Sequence, residues 1–292
     1  MTLLAYEIFQ TVVEQGSFQR AAEVLSLTPS AISHAISTAE KELGFPLFTR
    51  NKNGVTLTSY GENLQPYILT VLNSNTKLQQ AILEFNGLTH GSIKIGTFSS
   101  VCNSFIPDLV TTFSKQHPNI EIKIYQGTYD DVYNWIKTGA VDLGFLSESS
   151  CKDLEIIPLY KDELLCIVPK SFHTKHRNYI ELEELKNQKF VSQHESTDAD
   201  IQNFFHKHQL KIHSSCHVVD DLSTIAMVSA KLGICIMPKL VMQNIPYDVD
   251  MYPFKPSEYR TIGLCSSNTD LMAPAVKSMH KHILKYFEDL SD

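Results

Sequence analysis

Between Ser59 and Phe85 the residues Leu64, Ile68, Val71, Asn75, Leu78, Ile82 and Phe85 recur at a strict 4-3-4-3 spacing. This is a heptad stripe, and at 1.5 Å per residue it calls for one helix of about 40 Å. Ile68, Asn75 and Ile82 take the a positions, where a single Asn fixes register and strand number at some cost in stability. The stripe reads as a dimerisation surface; packing on the chain's own domain is the alternative. Pro66 sits in the first two turns, where it can kink the helix. The chain is 292 residues long, and one core rarely grows past ~250–300 residues, so several domains are expected. The stripe sets their boundaries: residues 1–58, a linker helix and hinge over 59–90, and residues 91–292.

The front segment has helical periodicity. Leu3, Leu4, Ile8, Phe9, Val12 and Val13 predict an amphipathic helix over 3–15, closed by Gly16. Ser17 caps a second helix that buries Phe18, Ala21, Ala22 and Leu25. After a tight turn at Ser26-Leu27, Thr28 is a natural N-cap and Pro29 suits the first helical position. That third helix runs to Leu43 and stops at Gly44, with Ile32, Ala35, Ile36 and Ala39 on its buried side. Two short helices across a short turn form a helix-turn-helix pattern. The exposed side of the second carries Ser30, Ser33, His34, Ser37 and Thr38, and its N-terminal end is the end that enters a major groove. FPLFTRNKNGVTLTSYG then reads as two short strands around Asn53-Gly54, with Arg50 and Lys52 on the wing to grip phosphates. Total charge does not carry this reading. Residues 1–58 hold four basic side chains (Arg20, Lys41, Arg50, Lys52) against five acidic ones (Glu7, Glu14, Glu23, Glu40, Glu42), and the net charge is −7. A DNA contact would rest on placement.

The run SFQRAAEVLSLTPSAISHAISTAEKELGFPLFTRNKNGVTLTSYG resembles the winged helix-turn-helix of LysR-type transcriptional regulators. The resemblance rests on Ser17-Phe18, Ala21-Ala22, Leu25, Ser33, Ile36, Glu40, Leu43-Gly44, Leu47-Phe48, Arg50, Leu57-Thr58 and Gly61. It implies DNA contacts through Thr28, Pro29, Ser30, Ser33, His34, Ser37, Arg50 and Lys52. His34 stands where the family often carries Arg.

Beyond the Gly87–Gly91 hinge, short apolar runs alternate with amphipathic ones, the mark of an α/β fold. Strands are expected at 92–97, 120–126, 142–146, 163–169, 189–193, 216–219, 234–238 and 261–266, and helices at 100–116, 129–138, 198–208, 221–231 and 270–290. GSIKIGTFSS, TGAVDLGFL and KLGICIMP resemble the effector domain of the same family, which is like a periplasmic binding protein. The likeness implies two subdomains, about 91–162 with 266–292 and about 163–265, joined by crossovers near residues 162 and 265. A small-molecule effector would lie between them. Ligands of open α/β sheets sit beyond the carboxyl ends of strands. That nominates Ser99, Ser100, Val101, Thr128, Ser147, Gln193, His194, Glu195 and Asp221. Lys231 replaces a Gly common in the family before Leu-Gly.

Together these features point to a ligand-responsive DNA-binding regulator acting on double-stranded promoter DNA. It is expected to self-associate as a dimer or tetramer, with possible contact to the transcription machinery. An enzyme is disfavoured: no G-x-S-x-G elbow, phosphate loop or metal-ligand spacing occurs, and no cofactor or metal is expected. Two alternatives stay open, a small-molecule binder without DNA activity and a thiol sensor built on Cys102, whose place in the first turn of a helix would lower its pKa. The first residues, MTLLAYEIFQTVVEQG, carry Glu7 and Glu14 with no basic region, unlike a secretion signal, and no run reaches the ~20 apolar residues of a membrane span. A cytoplasmic protein is the expectation.

Overall fold

Capping residues mark out the helices of the first unit in the computed structural model, which describes residues 1–51, 54–85, 91–193, 199–218, 220–243, 245–266 and 272–291. Helix α1 (Leu3–Gln15) begins where the Thr2 hydroxyl accepts the Ala5 amide and ends at Gly16, whose φ of 59° is left-handed. Ser17 caps α2 (Phe18–Leu25) and Thr28 caps α3 (Pro29–Leu43), the latter with Pro at the start and left-handed Gly44 at the end. The turn between α2 and α3 is closed by Ser26 at φ 54°, an uncommon conformation for a non-glycine residue. Strands β1 (Phe48–Asn51) and β2 (Gly54–Leu57) pair antiparallel as the wing. Glu40 ties the wing to α3 by accepting the Leu47 and Phe48 amides at 2.8 and 3.2 Å. Gly61 lets α4 (Ser59–Phe85) start against the wing, since a Cβ there would lie 2.4 Å from the Leu47 carbonyl.

The α4 helix runs through Pro66 without a break. Its heptad stripe divides in two. Ile68 is buried in the core of the first unit with Phe9, Ile36 and Leu47, and Leu64 packs against that core. This corrects the pairing role expected of Leu64 and Ile68, which cover their own domain. Farther along, Val71, Leu78 and Ile82 are 44%, 56% and 42% exposed, and Asn75 is half-buried. The side chain of Phe85 and the hinge residues 87–90 lie outside the described residues.

The second unit is built on a seven-stranded mixed sheet ordered β10 (Val249–Pro253), β6 (Ile156–Pro169), β11 (Tyr259–Ser266), β5 (Leu143–Ser147), β3 (Gly91–Thr97) and β4 (Ile120–Gln126), with β9 (Cys235–Pro238) also on β6. Strands β3 (Gly91–Thr97), β4 (Ile120–Gln126) and β5 (Leu143–Ser147) are parallel. Helices α5 (Ser99–Ser104), α6 (Ile106–Gln116), α7 (Tyr129–Thr138) and α11 (Pro274–Ser291) accompany them. Strand β6 (Ile156–Pro169) is longer than the expected 163–169 because it serves two layers. Its first half pairs with β11 (Tyr259–Ser266), and its second half pairs with β9 (Cys235–Pro238) and β10 (Val249–Pro253). Around that second half lie α8 (Leu182–Leu185), the parallel pair β7 (Lys189–Gln193) and β8 (His213–Val218), α9 (Ala199–Lys207) and α10 (Asp221–Ser229). Separate hydrophobic cores fill the two halves, one around Ile93, Phe145 and Phe287, the other around Val168, Phe190 and Phe204.

The second crossover differs from the expected position. Ile262–Ser266 still pairs with β5, so the chain changes layer at Tyr259–Thr261, upstream of residue 265. The helix expected over 100–116 is two helices, divided at Phe105, because Pro107 has no N–H to continue the first. Strand β10 and helix α8 had no counterpart in the sequence pattern. Lys231 adopts φ 65°, so the turn expected to want Gly keeps its left-handed form. Several histidines have structural partners, among them His208, whose Nε2 lies 2.9 Å from Glu258 Oε1, and His282, whose Nε2 lies 2.9 Å from Thr112 Oγ1.

Candidate functional site

On the first unit, α3 offers a polar surface beginning at its cap. Thr28 Oγ1 accepts the Ala31 amide at 3.2 Å and lies 3.0 Å from Ser30 Oγ. Thr28, Pro29, Ser30 and His34 are exposed, while Ser33 and Ser37 are half-buried. Arg50 does not reach freely into solvent. Its guanidinium sits 4.4 Å from the centre of the Phe18 ring and donates to Ser33 Oγ at 3.1 Å. One wing residue is thus coupled to two helices of the motif, and Ser33 Oγ is already an acceptor for it. Lys52 lies outside the described residues. The surface combines a helix N-terminus, short hydroxyls and one restrained cation, a set able to meet phosphates and base edges.

In the second unit, the carboxyl ends of β3, β4, β7 and β9 and the N-termini of α7, α9 and α10 surround a cavity of about 250 Å³. At its base lies a buried polar knot. Arg260 is 6% exposed and donates to Asp162 Oδ2 through Nε at 3.0 Å and Nη2 at 2.6 Å. It also donates to the Tyr129 hydroxyl and to Ser100 Oγ, each at 2.8 Å. Tyr129 in turn donates to Asp200 Oδ2 at 2.8 Å, while Ser147 and Ser149 donate to Asp200 Oδ1 at 2.5 and 2.7 Å. Asp162 Oδ1 accepts the Leu240 amide. Burial pushes the Tyr129 phenol well up, which keeps it a donor toward Asp200. Burial alone would lower the Arg260 pKa, but the Asp162 and Asp200 carboxylates around it outweigh that and raise it, so the guanidinium stays charged. The knot joins residues of both layers: Ser100, Tyr129 and Ser147 from the β3–β5 side, Asp200 from α9, and Asp162 and Arg260 from the two crossover strands.

The nominated residues sort unevenly. Ser99, Ser100, Thr128, Gln193 and Asp221 line the cavity. Ser99 Oγ accepts from Gln126 Nε2 at 3.1 Å, and Gln193 Nε2 donates to Asp221 Oδ1 at 2.6 Å. Val101 does not line it; its side chain is fully buried in the core, because the first turn of α5 rotates it inward. Ser147 supports Asp200 from below and lines a second pocket, with Lys207 and Glu258. His194 and Glu195 lie outside the described residues. Arg260, Tyr129, Asp131, Asp200 and Asp220 were not anticipated. The expected strand began at Thr261, one residue past the Arg, so an isolated Arg beside the apolar run TIGLC was the available signal. The thiol expectation for Cys102 reverses: burial pushes its pKa up, and it lines none of the cavities described above. Among the described residues, no helix is long and apolar enough to cross a membrane.

Comparison with known proteins matches both units. Residues 3–62 fit the model of the bacterial regulatory helix-turn-helix protein, lysR family, and residues 86–288 fit the LysR substrate binding domain. The HTH-type transcriptional regulator YvbU of Bacillus subtilis (strain 168) is 29% identical over 267 residues, 90% of this chain and 91% of that protein. The effector-binding domain of QuiR, solved with shikimate, is 25% identical with a TM-score of 0.61, covering 68% of this chain and 98% of that one. Full-length CbnR in complex with its target DNA shares the fold, with a TM-score of 0.68 at 17% identity over 98% of this chain and 99% of that one.

Proposed function

This chain belongs to the LysR family of DNA-binding transcriptional regulators, with a helix-turn-helix and an effector-binding domain, and from that premise we infer how its own residues divide the work. Thr28, Ser30 and His34 on α3 meet the major groove, while Arg50 and Lys52 hold flanking phosphates. Val71, Asn75, Leu78 and Ile82 on α4 pair two chains, so that two half-sites are bound at once as a dimer or a tetramer on promoter DNA in the cytoplasm. A small molecule entering the cavity above Arg260 changes the angle between the two layers and thereby the spacing of the half-sites.

The Arg260 knot carries this reading. It lies where both crossover strands pass between layers, and it presents Ser100, Tyr129 and Asp200 to the cavity floor. A ligand shifts such a two-state element by its differential affinity for the two states. The test is a gel shift on the DNA upstream of the protein's own gene. Arg50→Ala is expected to weaken the shift with the oligomer intact. Arg260→Lys, which keeps the charge and loses the fork of donors, is expected to leave DNA binding in place and abolish its response to ligand. An unaltered response in Arg260→Lys would remove the knot from the mechanism.

A further inference from the structure

The cleft's charge and its hydrogen-bond bookkeeping select a ligand class, an inference that rests on the reading of this cavity as the effector site. Arg260 is the one positive side chain lining the cavity among the described residues, and it is consumed by Asp162. Four carboxylates line the same space: Asp131, Asp200, Asp220 and Asp221.

The usual argument for an anion at such a place is the free N–H groups at helix N-termini. At α7 and α10 the chain's own carboxylates already use them, whereas the short α5 begins at Phe98 without a side-chain cap. Asp131 Oδ2 accepts the Thr128 amide at 2.8 Å and the Thr128 hydroxyl at 2.7 Å, at the start of α7. Asp220 Oδ1 accepts the Ser223 amide at 2.9 Å, as the cap of α10. The Gln193 amide is spent on Asp221. An anion at the α7 or α10 end would therefore meet carboxylates whose favourable donors are taken. Each carboxylate offers about four acceptor positions, so acceptor capacity remains for a ligand that donates.

We propose that the cleft is built for a small organic cation, an amine or amidinium on a partly apolar frame, drawn in by the carboxylates of Asp131, Asp200, Asp220 and Asp221 along its lining. Phe98, Ile201, Met237 and Val241 supply the apolar walls. The cavity of about 250 Å³ shares Ser99, Gln126, Asp220 and Asp221 with an adjoining one of about 470 Å³, which together leave room for a short aliphatic or a single-ring frame. A bare metal ion does not fit the arrangement, because among the described residues no three His, Cys, Asp or Glu converge on one point. Capping also keeps Asp220 ionised: the Ser223 hydrogen bond pulls its carboxyl down.

The test is calorimetric titration of the full-length protein with matched probes: 1,4-diaminobutane and benzamidine as cations, succinate and benzoate as anions, and glucose as a neutral polyol. The cations are expected to bind, with affinity falling as salt is raised. The double variant Asp220→Asn/Asp221→Asn should lose at least about tenfold of that affinity, a difference of ~1.4 kcal/mol. Asn remains a good N-cap, so the fold is expected to survive, and circular dichroism with a thermal melt checks it. Gln126→Trp, an exposed lining position, should block the cavity and abolish binding. Succinate, benzoate or glucose binding that Gln126→Trp blocks, with no cation binding, overturns the charge assignment and leaves the effector-site reading standing. Cation binding that neither variant weakens places the cation elsewhere and overturns the proposal. Silence from every probe overturns it too, and if Gln126→Trp also leaves the ligand response of DNA binding in cell extract unchanged, the effector-site reading falls with it.

Discussion

Arg50 and Arg260 are held by similar partners in opposite surroundings. Each donates to a serine hydroxyl and lies over a phenylalanine ring: Ser33 and Phe18 for Arg50, Ser100 and Phe98 for Arg260. Arg50 is exposed, and its serine is a neutral partner that a phosphate can outcompete. Arg260 is buried and has two further acceptors, Asp162 and Tyr129. A charge-assisted bond in low dielectric is strong, but removing one partner strands the other. The first arginine is therefore pre-positioned for an external anion, and the second is committed to the protein.

This contrast can be broken by experiment, beginning with its largest consequence. Arg260→Ala should leave Asp162 buried without its partner and lower unfolding stability by ~3–5 kcal/mol in urea titration. Adding Asp162→Leu to that variant should recover part of the loss, since a paired apolar replacement leaves no stranded charge. A single variant as stable as the parent would make the knot a surface feature after all. Leu78→Asp comes next, because it strikes the exposed half of the α4 stripe. The expected result is a monomer by sedimentation, with DNA affinity reduced by ~100-fold through lost bivalency. If the dimer mass persists, pairing lies elsewhere. Arg50→Ala should cost about tenfold in DNA affinity and reduce the slope of log affinity against log salt by about one, while the thermal melt barely moves because its tether is solvent-exposed. A large drop in stability would instead make Arg50 a structural residue like Arg260. Smallest is His34→Ala, expected to change affinity a few-fold and to alter preference at one base position. His34→Arg, read by the same competition assay, sharpens the result; equal preference in both variants would make His34 a bystander.

Much of the molecule was legible because its local signals agree with its tertiary structure. Thr28, Pro29 and Gly44 bound α3 in the chain as they do in the fold, and the apolar runs of β3, β4 and β7 fall where the strands are. These depend on neighbours a few residues away, which periodicity and capping report. The α4 stripe shows where that stops. Its spacing specifies a helix with one apolar side, and Ile68 and Leu78 are equivalent on that pattern. Contact with α1 and the wing buries the first, while the second remains open. The cleft shows the same limit more sharply. Ser99, Ser100, Thr128, Gln193 and Asp221 followed from the rule that ligands sit past strand ends. Arg260, Asp162 and Asp200 are far apart in sequence, and each looks alone like an ordinary charged surface residue. Sequence determined most of the elements, their order and the family. Only the tertiary structure decided which charges are buried together, because burial removes water from residues that long loops and crossover strands bring into contact, and no local pattern records that meeting.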